Sequence, residues 1–236
     1  MEPEILSLAQ KLDPRQTAVV VIDIQNDFCH AKGAVALHAG KVNQGHNREA
    51  MQRQLPPLLE AARRAGAMLV FVKMINDPVY QSPPNAERLI KLGIYGKGLM
   101  EGTWGADYWE EMDGLGPREG NAREIEVEKH RYSAFIGTNL DQVLRSNGIK
   151  TIVYTGLATS GCVESTARDG LFFDYYGVMA SDCVSDGSPD NHNATLRKYA
   201  GSFGEVMTSQ EIMGLWQAAA SKSTGKSQAA RATGAR

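Results

Sequence analysis

The sequence has little of what marks several common classes of protein. It holds three cysteines in 236 residues, an odd number in a long chain, which argues against a disulfide framework. No apolar run approaches the ~20 residues that are needed to span a bilayer. The formal net charge of −2 gives no reason to expect a nucleic acid or a membrane as a partner.

Three further signals are missing. The N-terminal residues Met-Glu-Pro-Glu-Ile lack the basic-then-apolar layout of a secretion signal, so we expect a cytoplasmic protein. No Gly-x-Gly-x-x-Gly follows the first predicted strand, which weighs against a nucleotide-dependent oxidoreductase. A thiol-redox role is disfavoured because no two cysteines have the Cys-x-x-Cys spacing. We therefore expect a protein that works without a cofactor.

What the sequence does contain is an alternation of strand-like and helix-like segments. Apolar runs rich in β-branched residues begin at Thr17, Met68 and Thr151, and such runs are typical of strands covered on both faces. Helices are predicted over residues 48–65, 139–146, 190–200 and 209–219. The alternation predicts one α/β domain over residues 1–219, a three-layer α/β/α fold with a mostly parallel central sheet. Residues 220–236, rich in Ser, Ala, Gly, Lys and Arg, are predicted to be a disordered tail.

Cys162 is the first candidate for chemistry. It follows a predicted strand, Thr151 to Tyr154, and a turn of small residues, and a helix is expected to open at or just before it. The field at a helix N-terminus would lower the pKa of its thiol. A free cysteine more often simply packs in the core. Here the small neighbours, residues 158–161, leave the sulfur little to pack against, which makes Cys162 a candidate nucleophile.

Asp23 and Lys129 complete a chemically sensible set. Each lies at the end of a predicted strand, and parallel strand ends share one edge of a sheet. A carboxylate can act as the general base for a thiol, and an ammonium stabilises the thiolate. The turn before Cys162 offers backbone N–H groups for an oxyanion hole. Taken singly, Asp23 could equally cap a turn, and Lys129 could be one of several solvated charges.

Three segments resemble the signature segments of the isochorismatase-like cysteine hydrolases. They are Val-Ile-Asp-Ile-Gln-Asn-Asp-Phe (21–28), Glu-Lys-His-Arg-Tyr-Ser-Ala-Phe (128–135) and Gly-Leu-Ala-Thr-Ser-Gly-Cys-Val-Glu-Ser-Thr (156–166). The resemblance extends from about residue 15 to about residue 215. It implies an isochorismatase-like, Rossmann-like fold and a hydrolase that forms a covalent acyl-enzyme.

The resemblance also implies roles for individual residues. Asp23 is implied as base, Lys129 as cation and Cys162 as nucleophile. A cis peptide bond between Leu157 and Ala158 is implied, with the backbone N–H groups of Ala158 and Cys162 forming the oxyanion hole. Together with the aromatic-rich segment 95–109, the resemblance favours a homo-oligomer, a dimer or tetramer. Residues 79–121 are expected to be irregular, and a long irregular span in a compact domain often forms a lid or a subunit contact, an alternative that stays open.

Departures from the pattern distinguish among branches of this family. True isochorismatases lack the nucleophilic cysteine, so Cys162 favours an amidohydrolase. Nicotinamidases carry metal-binding histidines after the second strand, whereas residues 73–78 contain none. His30, His38 and His46 lie in an earlier loop at spacings of eight, which fit no familiar zinc pattern. We therefore expect no metal.

The branch with the best match cleaves ureido or carbamoyl amides. Residues 102–105, 144–149 and 162–170 resemble ureidoacrylate amidohydrolases, and biuret and triuret hydrolases are neighbouring activities. The expected substrate is a small ureide. An N-carbamoylsarcosine-type or maleamate-type amidase stays open, as does a non-catalytic binding protein on the same fold. Candidate substrate-binding residues are the polar Gln25, Asn76, Tyr132 and Thr159, with Phe28 and Trp104 as walls. The two aromatic residues could equally be ordinary core.

Overall fold

The computed structural model of the protein describes residues 5–38 and 45–233. Side chains are described as far as Ser221, apart from that of residue 36. Within these residues, no helix is both long enough and apolar enough to cross a membrane.

A six-stranded sheet forms the centre of the fold. The strands are β1 (Thr17–Ile22), β2 (Met68–Met74), β3 (Glu124–Lys129), β4 (Thr151–Leu157), β5 (Tyr176–Ser185) and β6 (Glu205–Met207). Their spatial order is β3-β2-β1-β4-β5-β6, and neighbouring strands pair in parallel throughout the sheet. The predicted α/β class with a parallel central sheet is confirmed.

Helices cover both faces of this sheet. They are α1 (Leu8–Lys11), α2 (Asn26–Cys29), α3 (Ala34–His38), α4 (Arg48–Ala65), α5 (Pro83–Lys91), α6 (Leu140–Ser146), α7 (Glu164–Phe172), α8 (Pro189–Ser202) and α9 (Ser209–Thr233). Helices α4 and α9 pack in one apolar cluster, and α6, α7 and α8 pack in the other. The fold therefore has the three predicted layers.

The alternation of side chains along β1 supplies both clusters. Val19 and Val21 join the cluster of α4 and α9, whereas Val20 and Ile22 join the cluster on the opposite face. Successive side chains of a strand point to opposite faces, so a strand between two helical layers must be apolar at nearly every position. All six residues of β1 are buried.

Three segments differ from the expectations drawn from sequence. Helix α5 lies within the region that was expected to be irregular. Its start combines Ser82 at the N-cap with Pro83 at the first helical position, where a missing N–H has no cost. Helix α3 likewise lies in a segment expected to be a loop.

The last helix, the third of these segments, is longer than expected. It runs to Thr233 and not to residue 219, which is consistent with the high helix propensity of the alanines in this part of the chain. The prediction of a disordered tail over residues 220–236 falls almost entirely outside the residues whose side chains are described.

Gly156 permits the close approach of β4 to β1. Its φ of +102° lies in a region that L-residues rarely adopt, and a β-carbon there would overlap the backbone oxygen of Ile22. Because Ile22 precedes Asp23, this contact also fixes the end of β1.

We expect Gly156→Ala to lower the free energy of unfolding by about 3 kcal/mol, since it adds both overlap and an unfavourable φ. Gly214→Ala is the matched control. Gly214 lies inside α9, where an added β-carbon would meet no other atom within 4 Å, so the change should stabilise the protein by about 0.5–1 kcal/mol. Urea unfolding of both variants measures the difference, and equal effects would contradict this account of Gly156.

Candidate active site

The strand order brings three chain segments to one edge of the sheet. β1 lies between β2 and β4: the chain adds β2 and β3 on one side of β1 and then crosses to its other side to add β4, β5 and β6. Such a switch point opens a crevice at the carboxyl ends of the strands. Asp23 directly follows β1, Lys129 is the last residue of β3, and Cys162 lies in the turn after β4. The structure therefore brings the three residues together as expected.

A buried ion pair joins two of the three. Lys129 Nζ lies 2.8 Å from Asp23 Oδ2, and neither side chain is exposed to solvent. The same Nζ donates a hydrogen bond to the backbone oxygen of Arg131 at 3.1 Å. Two charges are tolerated at full burial only when each compensates the other, and removal of one would leave the second uncompensated.

The backbone of Asp23 is held in an uncommon conformation. Its φ is +56°, in the left-handed region that non-glycine residues rarely adopt, although Asp tolerates it better than most. Its N–H donates to the oxygen of Val72 on β2, and its oxygen accepts from the N–H of Gln25. This turn directs the chain out of β1 while the carboxylate stays at the sheet edge.

The Cys162 thiol interacts with both charged groups and is itself buried. Burial raises the pKa of this thiol to about 12, the charge of Asp23 adds to the rise, and the charge of Lys129 opposes it. Burial likewise raises the pKa of Asp23, against the effect of Lys129. Burial alone would lower the pKa of Lys129, but the charge of Asp23 and the interaction with Cys162 outweigh it and raise the pKa.

The expected lowering of the Cys162 pKa by a helix N-terminus is therefore wrong. The chain between Thr159 and Val163 forms a wide, irregular turn with Gly161 at φ −119° and ψ −107°, and the regular helix α7 begins only at Glu164. Desolvation of the sulfur dominates, so the pKa of the thiol is raised and not lowered.

The turn that carries Cys162 is fixed by its neighbours. The predicted cis peptide bond between Leu157 and Ala158 is present. The N–H and the hydroxyl of Ser160 both donate to Asp186 Oδ2 at 2.7 Å, and the N–H of Ser188 donates to Asp186 Oδ1. Both oxygens of this buried carboxylate are therefore engaged in holding the turn and the segment after β5.

A cavity of about 720 Å³ opens next to this turn. Its volume lies within the ordinary range for small-molecule sites. Among the residues expected from sequence, it is lined by Ala158 and Cys162 of the oxyanion-hole prediction and by Phe28, Asn76 and Tyr132. Asn76 is buried, and its Oδ1 has no hydrogen-bond partner among the described residues.

Three expected substrate-binding residues do not line the cavity. The side chain of Gln25 is fully engaged with backbone, since it donates to the oxygens of Met74 and Ala106 and accepts from the N–H of Met74. Thr159 is buried and its hydroxyl bonds to His192 Nδ1 at 2.9 Å. Trp104 packs against the ring of His30 and donates to Glu110.

The structure therefore does not bring these three side chains to the cavity, and their contact with a substrate stays a prediction. In each case the side chain completes a local hydrogen-bond network, and buried polar groups are normally satisfied in this way. Gln25 links β1, β2 and the segment after Trp104, so it supports the site indirectly.

Other residues of the cavity were not foreseen from sequence. They include Arg88 on α5, Ser160 and Gly161 in the turn of Cys162, and Asp186 and Asn191 after β5. Asp186 directly follows a strand, so the rule that ligands bind at carboxyl strand ends could have identified it. Arg88 could not have been identified, because the helix that presents it was not predicted.

The described residues contain no group of three or more His, Cys, Asp or Glu side chains arranged to hold a metal ion. His30 and His46 lie apart, since His30 contacts Trp104 whereas His46 stacks edge-on against His192. The absence of a metal from the working protein stays a prediction.

The charges around the thiol predict opposite effects of two substitutions. At pH 8 we expect Cys162 in Asp23→Asn to react with iodoacetamide at least about tenfold faster, because loss of a negative charge lowers the thiol pKa by about one unit or more. Lys129→Met should slow the reaction, because it removes the charge that stabilises a thiolate. Mass spectrometry of the alkylated peptide gives both rates. A change in the same direction in both variants would contradict the opposite effects assigned to Asp23 and Lys129 on the thiol pKa.

Comparison with known proteins agrees with this geometry. The chain is 33% identical over 229 residues to the ureidoacrylate amidohydrolase RutB of Acinetobacter baylyi, an alignment that covers 92% of this chain and 88% of that protein. It is 35% identical over 222 residues to the protein of the same name from Agrobacterium fabrum, covering 89% and 93% of the two chains.

Solved structures show the same fold. A cysteine hydrolase from Pseudomonas syringae pv. phaseolicola superposes with a TM-score of 0.74 and 26% identity, over 87% of this chain and 94% of that one. The N-carbamoylsarcosine amidase of Thermoplasma acidophilum gives a TM-score of 0.63 and 28% identity, over 82% and 96%. Residues 17–211 match the isochorismatase domain, and the three resembling segments lie within this range, so the resemblance to the family is confirmed. The chain belongs to the isochorismatase family.

Proposed function

We propose that this protein is a cysteine amidohydrolase that cleaves a C–N bond of a small linear ureide. The observation that carries the proposal is the buried Asp23–Lys129 ion pair in contact with the Cys162 thiol at the wall of a cavity. The relatives named as amidohydrolases support the reaction class. We propose that no cofactor takes part, because the three side chains supply a nucleophile, a base and a cation.

In the first half-reaction, the Asp23 carboxylate takes the proton of the Cys162 thiol while the sulfur attacks the ureide carbonyl carbon. A base is required because the pKa of the thiol is about 12. The C–N bond then breaks, and Asp23 returns the proton to the departing nitrogen. What remains is a thioester-type carbamoyl-enzyme, and the leaving group is an amine or ammonia.

The tetrahedral intermediate places negative charge on the former carbonyl oxygen. Ala158 and Cys162 both border the cavity, and we propose that their backbone N–H groups receive this charge. Lys129 stays protonated throughout, since nearby negative charges raise its pKa. Its charge compensates Asp23 at rest and the sulfur during attack.

In the second half-reaction, water attacks the carbamoyl carbon. Asp23, again a carboxylate, accepts a proton from this water, and the C–S bond breaks. The thiolate recovers its proton from Asp23, and carbamic acid leaves the cavity and loses a proton to solvent to become carbamate. The same carboxylate therefore alternates between base and acid twice in one turnover.

Recognition of a ureide is supported by Asn76. Its side chain borders the same cavity as the nucleophile turn, and its Oδ1 has no partner among the described residues. A buried acceptor without a donor is costly, and a ureide N–H would satisfy it. Candidate substrates are ureidoacrylate, biuret, triuret and N-carbamoyl amino acids. A cytoplasmic location and a homo-oligomeric state stay predictions.

We expect the purified protein to hydrolyse at least one ureide of this panel, and Cys162→Ala, Asp23→Asn and Lys129→Met each to lower kcat/KM by at least about 10³-fold. Release of ammonia and of the amine product measures turnover. Cys183→Ala is the matched control, because Cys183 is equally buried but lies in the core away from the cavity. Its activity should stay within about threefold of that of the wild-type protein.

Full activity of Cys162→Ala would refute the mechanism. Loss of activity to a chelator, with recovery on added zinc, would refute the metal-free proposal.

The pH profile should show an acid limb governed by Asp23. The base must be ionised, and burial raises the pKa of Asp23, so kcat/KM should fall as pH is lowered through a value above the ordinary aspartate pKa of about 3.9. Residual activity of Asp23→Asn should lack this limb. A limb of unchanged position in Asp23→Asn would assign it to another group.

A further inference from the structure

The cavity carries one basic side chain that the proposed mechanism does not use. Arg88 lies on α5, at a wall formed also by Tyr132, Leu89 and Leu92. It is half-buried, so its guanidinium is partly removed from water. A guanidinium that is only partly hydrated can gain from a negatively charged group of a ligand.

Neutral groups hold the guanidinium in place. Arg88 Nε and Nη2 donate to Asn85 Oδ1 at 3.1 and 3.0 Å, and Nη1 donates to the Tyr132 hydroxyl at 3.0 Å. The guanidinium carbon also lies 4.8 Å from the centre of the Tyr132 ring. A guanidinium has five N–H donors, so these contacts leave one on each terminal nitrogen.

No acid of the described chain compensates this charge. Arg88 makes no ion pair with any described carboxylate within 4 Å, unlike Lys91 on the same helix, which pairs with Glu87. The acid that borders the cavity, Asp186, has both oxygens engaged by Ser160 and Ser188. At the cavity wall, the guanidinium of Arg88 is therefore held in place by neutral groups and keeps two N–H donors for a ligand.

We propose that Arg88 binds a carboxylate of the substrate and thereby selects anionic ureides over neutral ones. A carboxylate accepts two parallel hydrogen bonds from a guanidinium, which matches the donors that remain. This inference deepens the proposed function and rests on it for the identity of the scissile group. It favours ureido acids and N-carbamoyl amino acids as a class, and it disfavours biuret and triuret, which have no carboxylate.

The apolar wall beside Arg88 fits the same class. Leu89, Leu92, Ile94 and Leu99 border the cavity. They would contact a short carbon chain between the ureide and the carboxylate. Asn76 binds the ureide end in the proposed function, so the two ends of such a substrate meet different chemistry.

The test compares 3-ureidoacrylate with its neutral methyl ester. For Arg88→Gln we expect KM for the acid to rise about 10- to 100-fold with kcat changed less than about threefold, since a charged hydrogen-bonded pair is lost from binding. The values for the ester should stay within about threefold. Arg88→Lys keeps the positive charge but cannot donate two parallel hydrogen bonds, so its KM for the acid should lie between those of the wild-type protein and Arg88→Gln. Lys91→Gln is the matched control, because it removes one charge from the same helix outside the cavity, and it should leave both substrates unaffected.

Binding to Cys162→Ala separates this inference from the proposed reaction. Calorimetry with 3-ureidopropionate and its methyl ester should give tighter binding of the acid, and Arg88→Gln in that background should remove the difference. This result would stand even if the wild-type protein hydrolysed no ureide, in which case the proposed function alone would fail. Three results would each overturn the role of Arg88. They are equal binding of the acid and the ester, an equal rise in KM for both substrates in Arg88→Gln, and a preference of the wild-type protein for biuret.

Discussion

The buried ion pair between Asp23 and Lys129 is the constraint on which the rest of the site depends. Fully buried charges are unfavourable unless they are paired. The parallel sheet allows the pairing because it brings the ends of β1 and β3 to one edge. The two residues are far apart in sequence, and β2 lies between β1 and β3 in the sheet. Any shift in the register of β2 would separate the charges, so the fold and the chemistry depend on the same backbone pairing.

Burial also affects how Cys162 would act as the proposed nucleophile. A thiol at a solvated helix end would ionise easily, but desolvation raises the pKa of the Cys162 thiol. In the proposed mechanism, the thiolate forms as Asp23 accepts the thiol proton next to a substrate carbonyl. A permanently ionised thiolate would react with any electrophile that reached it. Under that proposal, burial couples the reactivity of the sulfur to occupation of the cavity.

Sequence reasoning succeeded where a side chain is fixed by its place on the sheet. Asp23 and Cys162 follow strands and Lys129 ends one, and the carboxyl edge of a parallel sheet brings such positions together. It was less informative where the outcome depends on partners distant in sequence. Gln25 and Thr159 have the right chemistry for substrate binding, but Met74, Ala106 and His192 engage them. No local pattern indicates which polar group finds an internal partner and which, like Asn76, does not.

The lining of the cavity has two structural origins. One set of residues lies at strand ends and in the turn of Cys162, which the hydrogen-bonded sheet fixes. Another set lies on α5 and at Tyr132, which belong to connecting segments, and such segments tolerate change far better than strands do. A family can therefore keep one cleavage reaction while a single helix alters which molecules it accepts. On this account, the identity of the substrate is encoded in residues such as Arg88, which lie outside the motifs that define the family, and motif matching alone assigns the reaction more securely than the substrate.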